Sequence, residues 1–285
     1  MLWNWIAWRI ARTSILVSLI LSSALIVFQF TSFDKILFSI PAGKSLLFIL
    51  IWLLYATFYF FPTSSFIGSS LVFFEIKEEK KLHILQSFGV SSFALYSKTL
   101  VRLIPILFLL IVVSFLLHEE DISFMRRYLT YKYYTSLIYS FPEKNFSTFG
   151  DVTLYVERKS GNNFYNVFFK KGDDIILARR ALLEGDNIIF REGVSLIKEE
   201  KKSYLTGFSK YTLNLEKLVN VERRKDILKR DEELNLINSF SLPILVTLGY
   251  ILANTKLQSI TRLYYLVGVI SILYQIFLLL LKSLL

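Results

Sequence analysis

Residues Ser45–Phe74 read SLLFILIWLLYATFYFFPTSSFIGSSLVFF, thirty consecutive positions without a charge. A soluble fold rarely buries such a run, whereas a helix crosses the hydrocarbon core of a bilayer, about 30 Å thick, with about 20 apolar residues. Taken as one helix, the run would measure about 45 Å at ~1.5 Å per residue. Pro62 lies inside it and has no N–H to give to the helical ladder. The run is therefore expected to kink or divide, with a span over Tyr55–Phe74 and Ser45–Leu54 as an entering or interfacial segment.

Four further stretches have the same character. Thr13–Phe33 is uncharged and is preceded by Arg9 and Arg12. It is too long for the apolar part of a signal peptide and no small-residue cleavage site follows, so it is expected to be a retained helix. Leu103–Leu117, extended back to about Lys98, is the third candidate, Leu236–Ala253 the fourth and Leu263–Leu281 the fifth. Composition agrees. Of 285 residues 54% are hydrophobic and only 20% charged, with mean hydropathy +0.49. A typical soluble domain has about 45–50% apolar and about 25% charged residues. The expected layout is a helical bundle, residues 1–117 and 236–285, interrupted by a polar domain over 118–235.

Lys and Arg in short loops set the orientation. Arg9 and Arg12 precede the first span, Lys77, Lys80, Lys81, Lys98 and Arg102 lie between the second and third, and Lys256 and Arg262 between the fourth and fifth. The opposite side has Lys35, Lys44 and Lys282. The N-terminus is thus expected in the cytoplasm, the polar domain outside, and the C-terminus outside after an odd number of spans. A net charge of +10 would point to nucleic acid in a soluble chain. Here the positions of the cations matter more than their sum, and no nucleic-acid partner is expected.

From Asp151 to Leu215 the period changes to two: Val152, Leu154 and Val156 alternate with Thr153, Tyr155 and Glu157. Turn residues recur at Ser160–Asn163, Gly172–Asp174, Glu184–Asn187 and Glu192–Gly193, around short apolar runs at Phe164–Phe169, Ile175–Ala178, Asn187–Phe190 and Val194–Ile197. These predict strands of five or six residues in an antiparallel sandwich or open barrel. Tyr204–Leu215 adds one or two strands, Glu199–Lys202 is expected to be a turn, and Glu216–Glu233 a charged helix leading into the fourth span. Glu119–Lys144 suits either a helix or edge strands.

Catalytic and metal-binding signals are few. There is no Cys, which excludes disulfides, thiolate nucleophiles and Cys-ligated metals. Two histidines, His83 and His118, are expected on the surface. Gly43-Lys44-Ser45 looks like the end of a phosphate loop, but the position of its first glycine holds Phe38 and no strand precedes it. Asp173-Asp174 and Glu119-Glu120-Asp121 read as turn and interface charges. No cofactor and no enzymatic activity are expected of the chain itself.

The connection between the second and third spans is the informative piece. Over Glu75–Phe88, Leu82, Leu85 and Phe88 recur at helical spacing with charges opposite, and Gly89 ends the helix. Such a short amphipathic helix either rests on lipid headgroups or inserts its apolar edge into a groove on a cytoplasmic partner.

Several short motifs, in order, resemble the lipopolysaccharide export permeases LptF/LptG, also called YjgP/YjgQ. They are Phe60-Phe61-Pro62 with Gly68; the helix ending Ser87-Phe88-Gly89-Val90-Ser91; Lys98-Thr99 with Ile104-Pro105; Val152–Glu157; Asn166-Val167; Ala178-Arg179-Arg180-Ala181; Glu192-Gly193; Tyr211–Leu215; and Pro243. The resemblance covers most of the chain and lies in the order of the motifs more than in any one. It implies the membrane half of an ABC transporter, paired with a second LptF/LptG-like subunit and driven by a separate LptB-like ATPase. It also implies a β-jellyroll-like outer domain that works with LptC-like and LptA-like proteins, lipopolysaccharide as cargo, and a bacterial inner membrane.

On that resemblance Glu78, Glu79, Lys81, Leu82, Leu85, Phe88 and Gly89 form the coupling helix, residues 75–89. Lys81 stands where the family has an acidic residue eight positions before the glycine, with Glu78 and Glu79 about a turn upstream, and five spans stand in place of six. Lys35 and Lys44, in the outer loop, are the candidates to hold lipid phosphates, or they snorkel to the interface among membrane lipid. Two rival readings are a permease for a different amphiphile and a membrane-anchored β-domain that only scaffolds or senses.

Overall fold

The computed structural model describes residues 2–30, 41–140, 142–149, 152–185, 187–199, 202–215, 223–255 and 259–285. Lys35, Lys256, the end of the first expected span, the centre of the expected turn at 199–202 and the first residues of the expected helix 216–233 lie outside these. Helices α1 (Leu2–Phe30), α2 (Ala42–Glu78), α3 (Lys81–Ser87), α4 (Ser92–Leu116) and α5 (Glu119–Ser140) precede strands β1 (Phe146–Phe149), β2 (Val152–Ser160), β3 (Asn163–Lys171), β4 (Asp174–Glu184), β5 (Asn187–Glu199) and β6 (Lys202–Asn214). Helices α6 (Lys225–Asn254) and α7 (Ile260–Leu284) follow. Two compact units result, the helices within 2–123 and 223–285, and residues 124–215.

Helices α1, α2, α4, α6 and α7 are each long and apolar enough to cross a membrane, the five expected. Of the two outcomes expected at Pro62, a kink or a division, division does not occur. Helix α2 runs unbroken for 37 residues through Pro62, which is buried. At ~1.5 Å per residue this is about 55 Å. Its neighbours hold it: α1 and α6 make the most extensive contacts with it in the bundle. A proline kink is tolerated where packed helices and side-chain hydroxyls support the backbone around it.

Small residues make that packing close. Ser14, Ser18 and Ser22 recur every fourth position of α1 and are fully buried. Their hydroxyls donate to carbonyls of their own helix, those of Ile10, Ile15 and Ser18, at 2.6–3.0 Å. Gly68 of α2 lies against α1: a Cβ there would stand 2.9 Å from Ser14 Oγ and 3.1 Å from the Ile10 carbonyl oxygen. Gly249 of α6 lies against α2 still more tightly, 2.1 Å from Ser69 Oγ, 2.9 Å from the Phe66 carbonyl oxygen and 3.0 Å from Ser70 N by the same construction. Phe61, Phe66 and Phe73 of α2 fill the core with Ile6 and Ile10, Leu95 and Leu103, Leu242 and Val246, and Leu263.

A polar seam joins the helices. Ser114 Oγ is 2.8 Å from Ser239 Oγ and donates to the Asn235 carbonyl at 3.2 Å. Asn238 Nδ2 donates to the Tyr59 carbonyl at 2.8 Å and its Oδ1 accepts from the Tyr274 hydroxyl at 2.8 Å. Gln275 Nε2 donates to Thr63 Oγ1 at 2.7 Å.

In the second unit six strands form one antiparallel sheet in the order β1-β2-β3-β4-β5-β6. The antiparallel β-domain was expected, but β2 to β6 run for 9 to 13 residues, longer than the expected five or six. Gly193, expected in a turn, lies inside β5, where a Cβ would meet the Leu177 carbonyl oxygen at 2.3 Å and the Phe208 ring at 2.5 Å. It lies beside a crease. The register omits Glu157, Asn166, Arg179, Glu192 and Ser209, one residue on each of β2 to β6. Asn166 and Glu192 have φ of +48° and +54°, values costly for a residue with a Cβ. Across this line the inward parity changes, from Val167 and Phe169 to Phe164, and from Ile176 and Ala178 to Ala181 and Leu183. Helix α5 settles the ambiguity of 119–144. Its first turn carries Glu119, Glu120 and Asp121, which complement the positive end of the helix. Tyr131 and Ile138, two turns apart, are buried in the core of the sheet.

Gly249→Val should destabilise the bundle by about 1–3 kcal/mol through forced separation of α6 from α2, read as a lower midpoint of unfolding in detergent. Gly268→Val, where a Cβ meets nothing within 4 Å, should leave the midpoint within error. Equal midpoints for the two variants would contradict the close approach.

Candidate functional site

The connection between α2 and α4 forms a small platform at the end of the bundle. Helix α2 carries on as far as Glu78, so the expected helix 75–89 is two helices. Lys80, in the left-handed region at φ +58°, separates them. Helix α3 ends in a Schellman arrangement, with Gly89 N–H donating to the Gln86 carbonyl at 2.9 Å and Val90 N–H to that of Leu85 at 3.0 Å. Gly89 has φ +78°, which explains the glycine. Ser91 caps α4 by accepting from Ala94 N–H at 3.1 Å.

This platform is anchored from several helices. Both oxygens of the Glu75 carboxylate accept from Arg9 Nη2, at 3.0 and 2.8 Å, which ties α2 to α1. The Arg9 guanidinium lies 4.9 Å from the centre of the Trp5 ring, and Lys81 Nζ lies 5.8 Å from the same ring while pairing with Glu79. Lys98 of α4 lies 4.9 Å from the Trp3 ring. Lys77 Nζ donates to the carbonyls of Ala253 at 3.2 Å and Thr255 at 2.7 Å, where α6 ends and its carbonyls favour a cation.

Leu82, Leu85 and Phe88 do not share one environment. Leu82 and Leu85 are half-buried against the bundle core, whereas Phe88 is 79% exposed, as is its i−4 neighbour Ile84 at 56%. The outward edge of α3 is thus Lys81, Ile84 and Phe88. Glu78 ends α2 and is exposed. Ile84 escaped the sequence reading, because without the bundle nothing says which of the two apolar edges faces inward. At the other end of the bundle Lys44 lies exposed in the first turn of α2, and Ser45 follows it in the same helix, so Gly43-Lys44-Ser45 forms no phosphate loop.

The β-connected end of the bundle holds a polar junction that the sequence did not disclose. His118 was expected on the surface and is 5% exposed. Its Nδ1 lies 3.0 Å from Asp121 Oδ2, which also accepts from the His118 N–H at 3.1 Å. Asp121 pairs with Arg223. Buried Asp231 accepts from Glu120 N–H at 2.9 Å, and Glu120 accepts from Arg224 N–H at 3.0 Å. Lys282 reaches Glu119 at 2.5 Å and Asp231 at 3.8 Å. The chain leaving the bundle at 118–121 is thus tied to the chain returning at 223–231. These partners are more than a hundred positions apart, beyond the reach of any local pattern. Among the described residues no group of three His, Asp or Glu side chains is placed to hold a metal ion.

The family description "Lipopolysaccharide export system permease LptF/LptG" matches residues 5–238, well over half of the chain. An uncharacterized protein of Aquifex aeolicus (strain VF5) is 29% identical over 254 residues, which covers 89% of this chain and 89% of that one. The five helices long and apolar enough to span a membrane among the described residues, an antiparallel β-domain between the third and fourth, and a short amphipathic helix between the second and third fit that match, and the chain belongs to the LptF/LptG family of lipopolysaccharide export system permeases.

Proposed function

We propose that this chain is one membrane half of an ATP-driven exporter, and that α3 is the helix through which a separate cytoplasmic ATPase moves it. The observation that carries this reading is the exposed pair Ile84 and Phe88 on a helix otherwise fastened to the bundle. A helix resting on lipid has little need of such anchoring. A helix that transmits force needs a rigid base, and Arg9–Glu75, Lys77 and the inward Leu82 and Leu85 supply one. Burying Ile84 and Phe88 in a partner groove would contribute roughly 1.5–3 kcal/mol each. Lys81, beside Trp5 and Glu79, would take the place of an acidic contact, so the ATPase groove is expected to present a carboxylate there.

The second half of the exporter is a similar permease subunit, which covers the apolar side chains that α1, α4 and α7 turn outward. Leu16, Phe108 and Tyr265, at 53%, 67% and 78% exposure, are examples. The cargo is lipopolysaccharide, drawn from the outer leaflet of the inner membrane and passed to LptC-like and LptA-like partners through the β-domain, which lies in the periplasm. Arg9, Arg12, Lys77, Lys80, Lys81 and Lys98 gather at the α3 end of the bundle, which supports a cytoplasmic position for that end.

Two measurements follow. Phe88→Asp should weaken ATPase retention about a hundredfold, the equivalent of ~3 kcal/mol, while the variant still inserts and folds. Retention and lipid-stimulated hydrolysis at the level of the unmodified complex would refute the coupling role and favour a headgroup-resting helix. The chain has no cysteine, so single Asn4→Cys and Asn163→Cys variants report topology cleanly. An impermeant maleimide added from the periplasm should label position 163 and spare position 4. Labelling of 163 only after the cytoplasm is opened would reverse the orientation.

A further inference from the structure

At the α3 end of the bundle Arg9, Lys77, Lys81 and Lys98 are engaged inside the protein. Their partners are Glu75, the carbonyls where α6 ends, Glu79 and the Trp3 ring. Arg12 of α1 and Arg102 of α4 differ. Both are exposed, and among the described residues no ion pair engages either.

Their positions correspond. Arg12 is the last charge before the uncharged run Thr13–Phe33, and Arg102 the last before Leu103–Leu117. Helices α1 and α4 both start at the α3 end and pack against one another, with Lys98 of α4 reaching the Trp3 ring of α1. Each guanidinium thus stands at the polar edge of a membrane-crossing segment, on neighbouring helices. On α1, Trp5, Trp8, Arg12, Ile15 and Leu19 recur every three or four positions and are all exposed, Trp8 at 64%. They form one outward stripe that passes from two indoles through a cation to aliphatic side chains. On α4, Arg102 and Leu109, two turns apart, share an exposed face. Indole, cation and hydrocarbon is the order of layers met on entering a bilayer. Tryptophan rings collect at headgroup level, and charges near helix ends stay among the headgroups.

We propose that α1 and α4 together bind an anionic phospholipid of the leaflet at the α3 end, with its phosphate shared by Arg12 and Arg102, its headgroup beside Trp8 and its chains along Ile15, Leu19 and Leu109. Charge complementarity selects this occupant. Basic sites between membrane helices on the cytoplasmic side take anionic headgroups, and the planar fork of a guanidinium matches phosphate oxygens through paired, charge-assisted hydrogen bonds. A zwitterionic lipid brings an ammonium group that opposes both arginines. A carboxylate from a partner protein neutralises a guanidinium but leaves the outward indole and the aliphatic side chains beyond it unmatched, whereas a lipid meets all three layers. The inference goes beyond the transport reading and takes from it only that this end of the bundle is cytoplasmic. The lipid is a resident of the surrounding membrane, not the cargo.

The test uses the complete complex in mixed micelles of phosphatidylglycerol and phosphatidylethanolamine in equal amounts, read by native mass spectrometry. Phosphatidylglycerol should be retained in preference. Arg12→Gln and Arg102→Gln should each lower its retention about fivefold, and the double variant about twenty-fivefold. Because both arginines are exposed and without an ion pair, the double variant should unfold in lipid-free detergent at the temperature of the unmodified complex. Added phosphatidylglycerol should raise the midpoint of the unmodified complex and leave that of the double variant unchanged, and inorganic phosphate should raise neither. A purely structural role would instead lower the lipid-free midpoint of the double variant, and that result overturns the inference. Equal retention of the two lipids, a midpoint raised as far by inorganic phosphate, or a double variant that still holds phosphatidylglycerol would each overturn it as well. Loss of the paired subunit or the ATPase from the double variant, with lipid retention unchanged, would assign the arginines to a protein contact and refute the lipid site.

Discussion

The close approach of α2 to its two neighbours is the constraint on which the membrane unit depends. Lipid tails are as apolar as leucine, so burial of leucine against leucine gains little there, and helices associate through packing and polar contacts. Gly68 and Gly249 let backbone meet backbone on opposite sides of α2, and the serines on that helix and on α1 send their hydroxyls to their own carbonyls. Helix α2 is thereby a central column, long enough to pass Pro62 without breaking and to carry Glu75 and Lys77 to the α3 end of the bundle. Those two residues then fasten the ends of α1 and α6. The rigidity of the platform under α3 derives from this packing.

Charge is sorted to the two ends of the bundle in different ways. At the α3 end Arg9, Lys77, Lys81 and Lys98 are held over indole rings, on terminal carbonyls and beside Glu75 and Glu79. At the β-connected end the charges are consumed internally: Asp121, Glu120, Asp231 and Glu119 are matched by Arg223, backbone N–H groups and Lys282. The first end carries the exposed edge on which the proposed coupling rests, and the second keeps two chain passages together.

Much of this was legible in the sequence, because it rests on local patterns. Uncharged runs gave the five spans, period-two alternation gave the β-domain, and Gly89 marked the end of α3. What stayed hidden depends on partners distant along the chain. The continuity of α2 through Pro62 depends on α1 and α6, which no window around Pro62 contains. Glu192-Gly193 has turn composition, yet the glycine is demanded by the Leu177 carbonyl and the Phe208 ring of adjacent strands. Ile84 and Leu85 are equally apolar, and only the bundle decides that one faces outward.

The most direct measurement of the account is ATP-driven movement of lipid by the reconstituted complex. Proteoliposomes containing this chain, its paired subunit and the ATPase, loaded with lipopolysaccharide and offered a soluble periplasmic acceptor, should pass lipopolysaccharide to that acceptor only when ATP is hydrolysed. Phe88→Asp in this chain should abolish the transfer while leaving lipopolysaccharide bound. ATP-independent transfer, or hydrolysis that proceeds with no lipopolysaccharide reaching the acceptor from a fully assembled complex, would contradict it.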